Sequence, residues 1–330
     1  MTTRSLKNVR TASAGTDITR WRPLESIGAG TWPRLQHADD GRVSVREVCR
    51  RFHGPGEELR LIAGTSVTAW QQIDRDRVIR GLRKRIRNAG VMDQNQTDLC
   101  GPYALLMEFA RRRPRLYVRA IGELLLQGKF SKPGGGTFVA DADLRARPVP
   151  QDIAAADWLF AATIRDAENV TDDVDDGEGL EGATWPYELE EWIEDVLELK
   201  ADYHPCWFDG EMSALRKGQD AVDAGGVAYL LVDSAIVNAE HPEDDEEDVW
   251  LRRRSFSGGG FGSWSGRIHC EDDDMLYPNH YVVLLGDLRN TGSETDFNVD
   301  LWSFARHYEI TGSGDGFGEY LYAVITGVPR

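Results

Sequence analysis

The chain has 330 residues, 41% of them hydrophobic and ten of them tryptophan, enough apolar material for one large core or two ordinary ones. Its formal charge of −17 excludes a general affinity for nucleic acid, whose phosphates need a basic surface to displace their counterions. No stretch approaches eighteen apolar residues, which excludes a membrane-spanning helix, and four scattered cysteines, at 49, 100, 206 and 270, exclude a disulfide scaffold.

The first twenty or so residues, MTTRSLKNVRTASAGTDITR, carry no apolar core of a secretory signal and read as a frayed polar tail, so the expected compartment is the cytoplasm of the producing cell. Turn signals at GAGTWP and HGPGEE then set off VSVREV and ELRLIAG, two short strand candidates. DRDRVIRGLRKRIRNAG follows as an amphipathic helix, with Val78, Ile79, Leu82 and Ile86 among arginines and Gly90 at its end. The basic clusters at Arg75 to Arg87 and Arg111 to Arg115 recur at helical spacing, as solvated faces do. QNQTDLCGPYALLMEFARR, residues 94–112, places Cys100 at the start of an apolar helix. PRLYVRAIGELLLQG forms the second arm of a helical hairpin, from Pro114 to Gly128.

KPGGGT is a loop. QDIAAADWLFAATIRDAEN is a helix with Ile153, Trp158, Leu159, Ala162 and Ile164 inward, and it runs into the acidic tract TDDVDDGEGLEG. WPYELEEWIEDVLEL is a further helix with Pro186 at its first turn. After GQDAVDAGG the pattern changes to VAYLLVDSAIV, HYVVLLGDL, VDLWSF and YLYAVITGV, runs rich in β-branched and aromatic residues that read as an antiparallel sheet. Residues 239–266, with an acid run, an arginine run and a Gly/Ser tract, read as a flexible surface insertion over about 240–265, either a lid or an ordinary disordered insertion. GSGDGFGEY reads as a hairpin turn between the last two strands. Helices first and strands second give an α+β fold, a helical layer on a twisted antiparallel sheet. The helical half covers about 85–200 and the sheet half about 220–330, with residues 1–84 as a separate N-terminal region.

The chemistry centres on Cys100. A helix N-terminus carries partial positive charge and free N–H groups, both of which favour thiolate. Pro102 suits a first turn, Gly101 leaves room for a substrate backbone, and Gln94 lies close enough to return its amide beside the Cys100 N–H as an oxyanion hole. The base such a thiol needs is expected at His280, which begins the run HYVVLLGDL after a turn containing Asn279. Asp300 on the next strand is the expected orienting group, shielded by Trp302 two residues on. Asp296 and Asn298 are the alternatives for that third position.

Q-x5-C-G before a helix, a distant N-H followed by hydrophobics, and D-x-W on the next strand together resemble the papain-like cysteine peptidases. The segment D-L-C-G-P-Y-A-L is similar to the peptidase domains that process bacteriocin leaders and to papain-like toxin or effector domains of bacteria. The resemblance covers residues 85–330. It implies Cys100 as nucleophile, His280 as general base, Gln94 as oxyanion donor and Asp300 where papain carries asparagine, with substrate lying between a helical and a sheet half. It further implies a protein or peptide substrate, no cofactor, and, for an effector, export without a signal peptide and a cognate inhibitor protein. The chain lacks papain's preceding cysteine and the Trp after the nucleophile, and its Cys-to-His separation is longer.

Other sites carry weaker patterns. His204 and Cys206 with His269 and Cys270 lack finger spacing, so no metal is expected. GSWSG centres on Trp264 and frames no serine, and the acidic runs contain no calcium loop. Deamidation or acyl transfer on the same fold, or non-catalytic capture of a partner in the cleft, are the alternatives to peptide hydrolysis.

Overall fold

The computed structural model describes residues 55–65, 68–95, 97–168, 184–237, 249–255, 264–267, 278–290, 297–312 and 314–330; for 249–255 and 264–267 it describes the backbone. The helical layer comprises α1 (Pro55–Gly64), α2 (Arg75–Arg87), α3 (Cys100–Arg112), α4 (Pro114–Gln127), the short α5 (Ala142–Ala146) and α6 (Ala155–Glu168). A small hairpin, β1 (Lys129–Ser131) and β2 (Thr137–Val139), leaves it, and α7 (Pro186–Trp192) leads through a π-helical turn at Ile193–Leu197 into the main sheet. Local chemistry sets these boundaries. Asp74 caps α2 by accepting from the Asp76 and Arg77 N–H groups, and Lys84, Arg85 and Arg87 complement its C-terminal dipole. Pro114 starts α4 and Gly128, at φ 68°, ends it in a conformation that favours a residue without Cβ.

The sheet has eight strands in the order β3-β10-β4-β7-β8-β9-β5-β6, every pair antiparallel. These are β3 (Leu199–Pro205), β4 (Val227–Val232), β5 (Val249–Ser255), β6 (Trp264–Arg267), β7 (His280–Asn290), β8 (Phe297–Ser303), β9 (Arg306–Gly312) and β10 (Leu321–Pro329). Between β3 and β4 lie α8 (Cys206–Asp209) and α9 (Glu211–Asp223), and α10 (Gly314–Gly318) precedes β10. Alternation along each strand sorts the side chains into two cores. Tyr281, Val283, Trp302, Tyr229 and Ile325 join the helical layer, whereas Val282, Leu284, Leu230, Val299 and Leu301 pack with Ala214 and Leu215 of α9.

The α+β architecture follows the order of the sequence, helices before strands, with several corrections. ELRLIAG is helical, within α1, because Leu59 and Ile62 bury against the helical layer at helical rather than alternating spacing. A boundary at 84/85 falls inside α2, whose Val78, Leu82 and Ile86 share one core with α3, α4 and α6. The basic clusters are not simply solvated. Arg85 is buried and holds Asp157 of α6 at 2.6 Å, and Arg112 is buried between Glu108 and the carbonyls of Gly225 and Gly226. The 239–266 insertion contributes β5 and β6 to the sheet edge. GSGDGFGEY is not a hairpin turn, since β9 lies between β8 and β5 while β10 lies between β3 and β4. VSVREV, GAGTWP and the acidic tract lie outside the described residues. Among the described residues no helix is long and apolar enough to cross a membrane.

Candidate functional site

Leu99, which precedes α3, offers no side-chain cap, and Pro102 has no N–H, so the first turn keeps its Cys100 and Gly101 donors uncommitted to the helix. Both N–H groups, together with the Tyr281 N–H from β7, are placed so as to favour the Cys100 thiolate. Burial is nevertheless the largest influence. It pushes the thiol above its ordinary value, the three N–H groups pull it down by less, and Asp98 adds to the rise. With 8% of its surface exposed, Cys100 therefore rests as a thiol. The space beside Gly101 is not open to a substrate backbone in this arrangement. A Cβ there would lie 2.4 Å from Thr184 Oγ1, so glycine is needed for the chain's own Thr184 to close over the start of α3. Thr184 Oγ1 is itself buried without a hydrogen bond.

His280 opens β7, next to Tyr281, whose N–H favours the Cys100 thiolate. Strand alternation turns Tyr281 toward the helical layer and His280 toward the α9 face, at the end of the sheet. There Nε2 lies 2.7 Å from Ser303 Oγ, and the ring stacks on Phe304 at 4.7 Å with 7° between planes. Burial lowers the imidazole to about 4, so it is neutral at neutral pH. Phe304 is held there by backbone strain: Ser303 and Arg306 pair across a two-residue turn in which Phe304 has φ 43° and Ala305 φ 55°. Such a turn ordinarily takes Asn-Gly, and a side chain in the left-handed region costs roughly 1–2 kcal/mol.

No protein-family model matches this chain, and no curated protein matches it.

The remaining expected groups are placed elsewhere. Asp300 does not orient His280. It pairs across the sheet opposite Gly286, six residues along β7, and faces the helical layer, where Oδ2 lies 3.2 Å from His307 Nε2. Both residues are 2% exposed, and neither that oxygen nor either His307 nitrogen makes a hydrogen bond. Trp302 shares their face, as alternation requires, but its Nε1–H donates to the Gly90 carbonyl at 2.9 Å and it shields His307 rather than His280. Asn298 donates to the Asp287 carbonyl and is not a third member; Asp296 lies outside the described residues. Gln94 is buried with its amide donating to the Thr97 carbonyl at 3.2 Å, within its own turn. Asn279 fastens β7 to the end of β4, its side chain accepting from the Ser234 N–H at 2.7 Å and its own N–H donating to the Val232 carbonyl.

Two participants were not foreseen, Ser303 and Phe304. Their signal lay in the run RHYEI, whose alternation after SFA marks a strand returning through a two-residue turn and so fixes what stands beside His280. The His/Cys pair at 204 and 206 shows no convergence. His204 Nε2 lies 3.1 Å from Thr326 Oγ1, and the Cys206 thiol is pushed up to about 12 by burial, Glu211 and Asp209. Among the described residues no three His, Cys, Asp or Glu side chains converge as metal ligands would.

Proposed function

We propose that the chain is a papain-like thiol hydrolase acting on an amide carbonyl of a protein or peptide, with Cys100 as nucleophile, His280 as general base and Ser303 as the group that orients it. The observation that carries this reading is the favourable influence of the Tyr281 N–H on the Cys100 thiolate, which places the head of α3 near the start of β7, one residue from a buried, neutral imidazole. His280 hydrogen-bonds Ser303 on the α9 face of β7, so to take the thiol proton as sulfur attacks the carbonyl carbon its ring turns past the end of the strand toward the face on which Cys100 lies. The Cys100 and Gly101 N–H groups then face the developing oxyanion. Collapse of the intermediate expels the amine, which takes the proton from His280. Water cleaves the resulting thioester with His280 again as base, restoring the thiol. A raised thiol and a lowered imidazole support proton transfer during attack rather than a standing thiolate–imidazolium pair.

The same acyl-enzyme serves deamidation or transfer to an amine, and an exported effector met by an inhibitor protein is the biological setting the proposal suits. The second reading, non-catalytic capture of a partner, draws on the burial of Cys100 and the cover of Thr184. Exposure to p-nitrophenyl acetate separates the two. The proposal predicts an acetyl thioester on Cys100 in peptide mapping and a nitrophenolate release that Cys100→Ala removes. Slow acetylation shared among all the cysteines would instead favour the binding protein.

A further inference from the structure

A cleft of about 450 Å³, walled by α2, the segment before α6, the chain at 91–93 and the turn at 304–306, is joined to His280 through Phe304. Four cations line it, Arg77, Lys84, Arg85 and Arg306, against two carboxylates, Asp93 and Asp152. In a chain of net charge −17 this is a local reversal of sign. Lys84 and Arg306 are exposed and make no salt bridge among the described residues, and the Arg77 guanidinium donates to the Ile153 carbonyl at 3.3 Å. Arg85 supplies a second, independent observation. It is 6% exposed and lines the cleft, and Asp157 occupies its Nε and Nη2 while Nη1 has no hydrogen-bond partner among the described residues. One donor of this Asp157-paired guanidinium is thus left open to solvent.

We propose that this cleft binds acidic side chains of a polypeptide substrate, next to the bond that is cut. The inference rests on the hydrolase reading, because Phe304 is a wall of the cleft and also the ring stacked on His280. A polypeptide whose carbonyl meets Cys100 at the end of β7 continues past Phe304 among the four cations. Discrete carboxylates fit better than a nucleic-acid backbone, since Asp93 and Asp152 in the lining repel an unbroken row of phosphates more than single acids.

Fluorescence anisotropy of the full chain with fluorescein-labelled hexaglutamate tests this, with labelled hexaglutamine and an oligothymidylate as comparisons. Hexaglutamate is expected to bind and hexaglutamine not. Affinity is expected to fall about tenfold or more in the double variant Lys84→Glu, Arg306→Glu, whose exposed positions leave the core untouched, with circular dichroism confirming the fold. Equal binding of hexaglutamine, undiminished binding by the double variant, or tighter binding of oligothymidylate overturns the proposal. Cys100→Ala is expected to bind hexaglutamate as the wild type does. Binding without Cys100 acetylation would leave the cleft standing and remove the hydrolase, whereas acetylation without binding would do the reverse.

Discussion

His280 on β7 and His307 on β9 flank the same strand, β8, and each takes its partner from it. His280 meets Ser303 at the end of the sheet, in a 2.7 Å contact under the Phe304 ring, next to Tyr281, whose N–H favours the Cys100 thiolate. His307 meets Asp300 beneath the helical layer, sealed by Trp302 and short of hydrogen bonds. The difference teaches that a carboxylate beside a histidine does not by itself mark a catalytic pair. We read the sealed pair as a structural element, while the proposed hydrolase relies on a hydroxyl at the end of the sheet.

The largest effect separating the two clusters is on stability. His307→Ala leaves the buried Asp300 carboxyl without its neighbour and opens a cavity, and is expected to cost roughly 3 kcal/mol in urea unfolding. His280→Ala, which loses one hydrogen bond and one stacked contact, is expected to cost less; equal losses would erase the distinction.

Next is pH. His280 is held at about 4 against an ordinary 6.5, so the unfolded chain binds its proton first as pH falls. The stability this neutral ring contributes is complete above 6.5 and is lost as pH drops toward 4, by about 3 kcal/mol at most. The stability difference between wild type and His280→Gln, followed across that window, is expected to shift by this amount in the wild type's disfavour at the acid end. A flat difference would mean that the ring is not buried neutral.

The smallest effect concerns the turn between the clusters. Ala305→Gly relieves a left-handed alanine at φ 55° and is expected to raise the unfolding temperature by the equivalent of about 1 kcal/mol. A lower unfolding temperature would show that the turn is not strained.

The legible parts of this fold were those fixed by local pattern. Pro114 and Gly128 bracket α4, Pro186 starts α7, and the apolar runs at 227, 280, 297 and 321 are strands. The thiol at the head of its helix belongs to the same class. What escaped was register. D-x-W named the face of β8 correctly, since Asp300 and Trp302 lie together, but only the Ser303–Arg306 turn and the bulge near Gly286 decide which residue of β8 reaches His280, and both depend on pairing across the sheet. The burial of Arg85 and Arg112 escaped for a similar reason. Helical spacing shows which side of a helix is basic, but not that α6 brings Asp157 to one arginine, or that the turn before β4 brings two carbonyls to the other.

The central claim of the proposal is that His280, and not the carboxylate-flanked His307, activates Cys100. The most direct measurement is the initial rate of Cys100 acetylation by p-nitrophenyl acetate at about pH 7 in wild type, His280→Gln and His307→Gln, each verified as folded. A drop of about 100-fold in His280→Gln with little change in His307→Gln is the predicted result. A rate that survives the loss of His280, or that falls only with His307, contradicts the account.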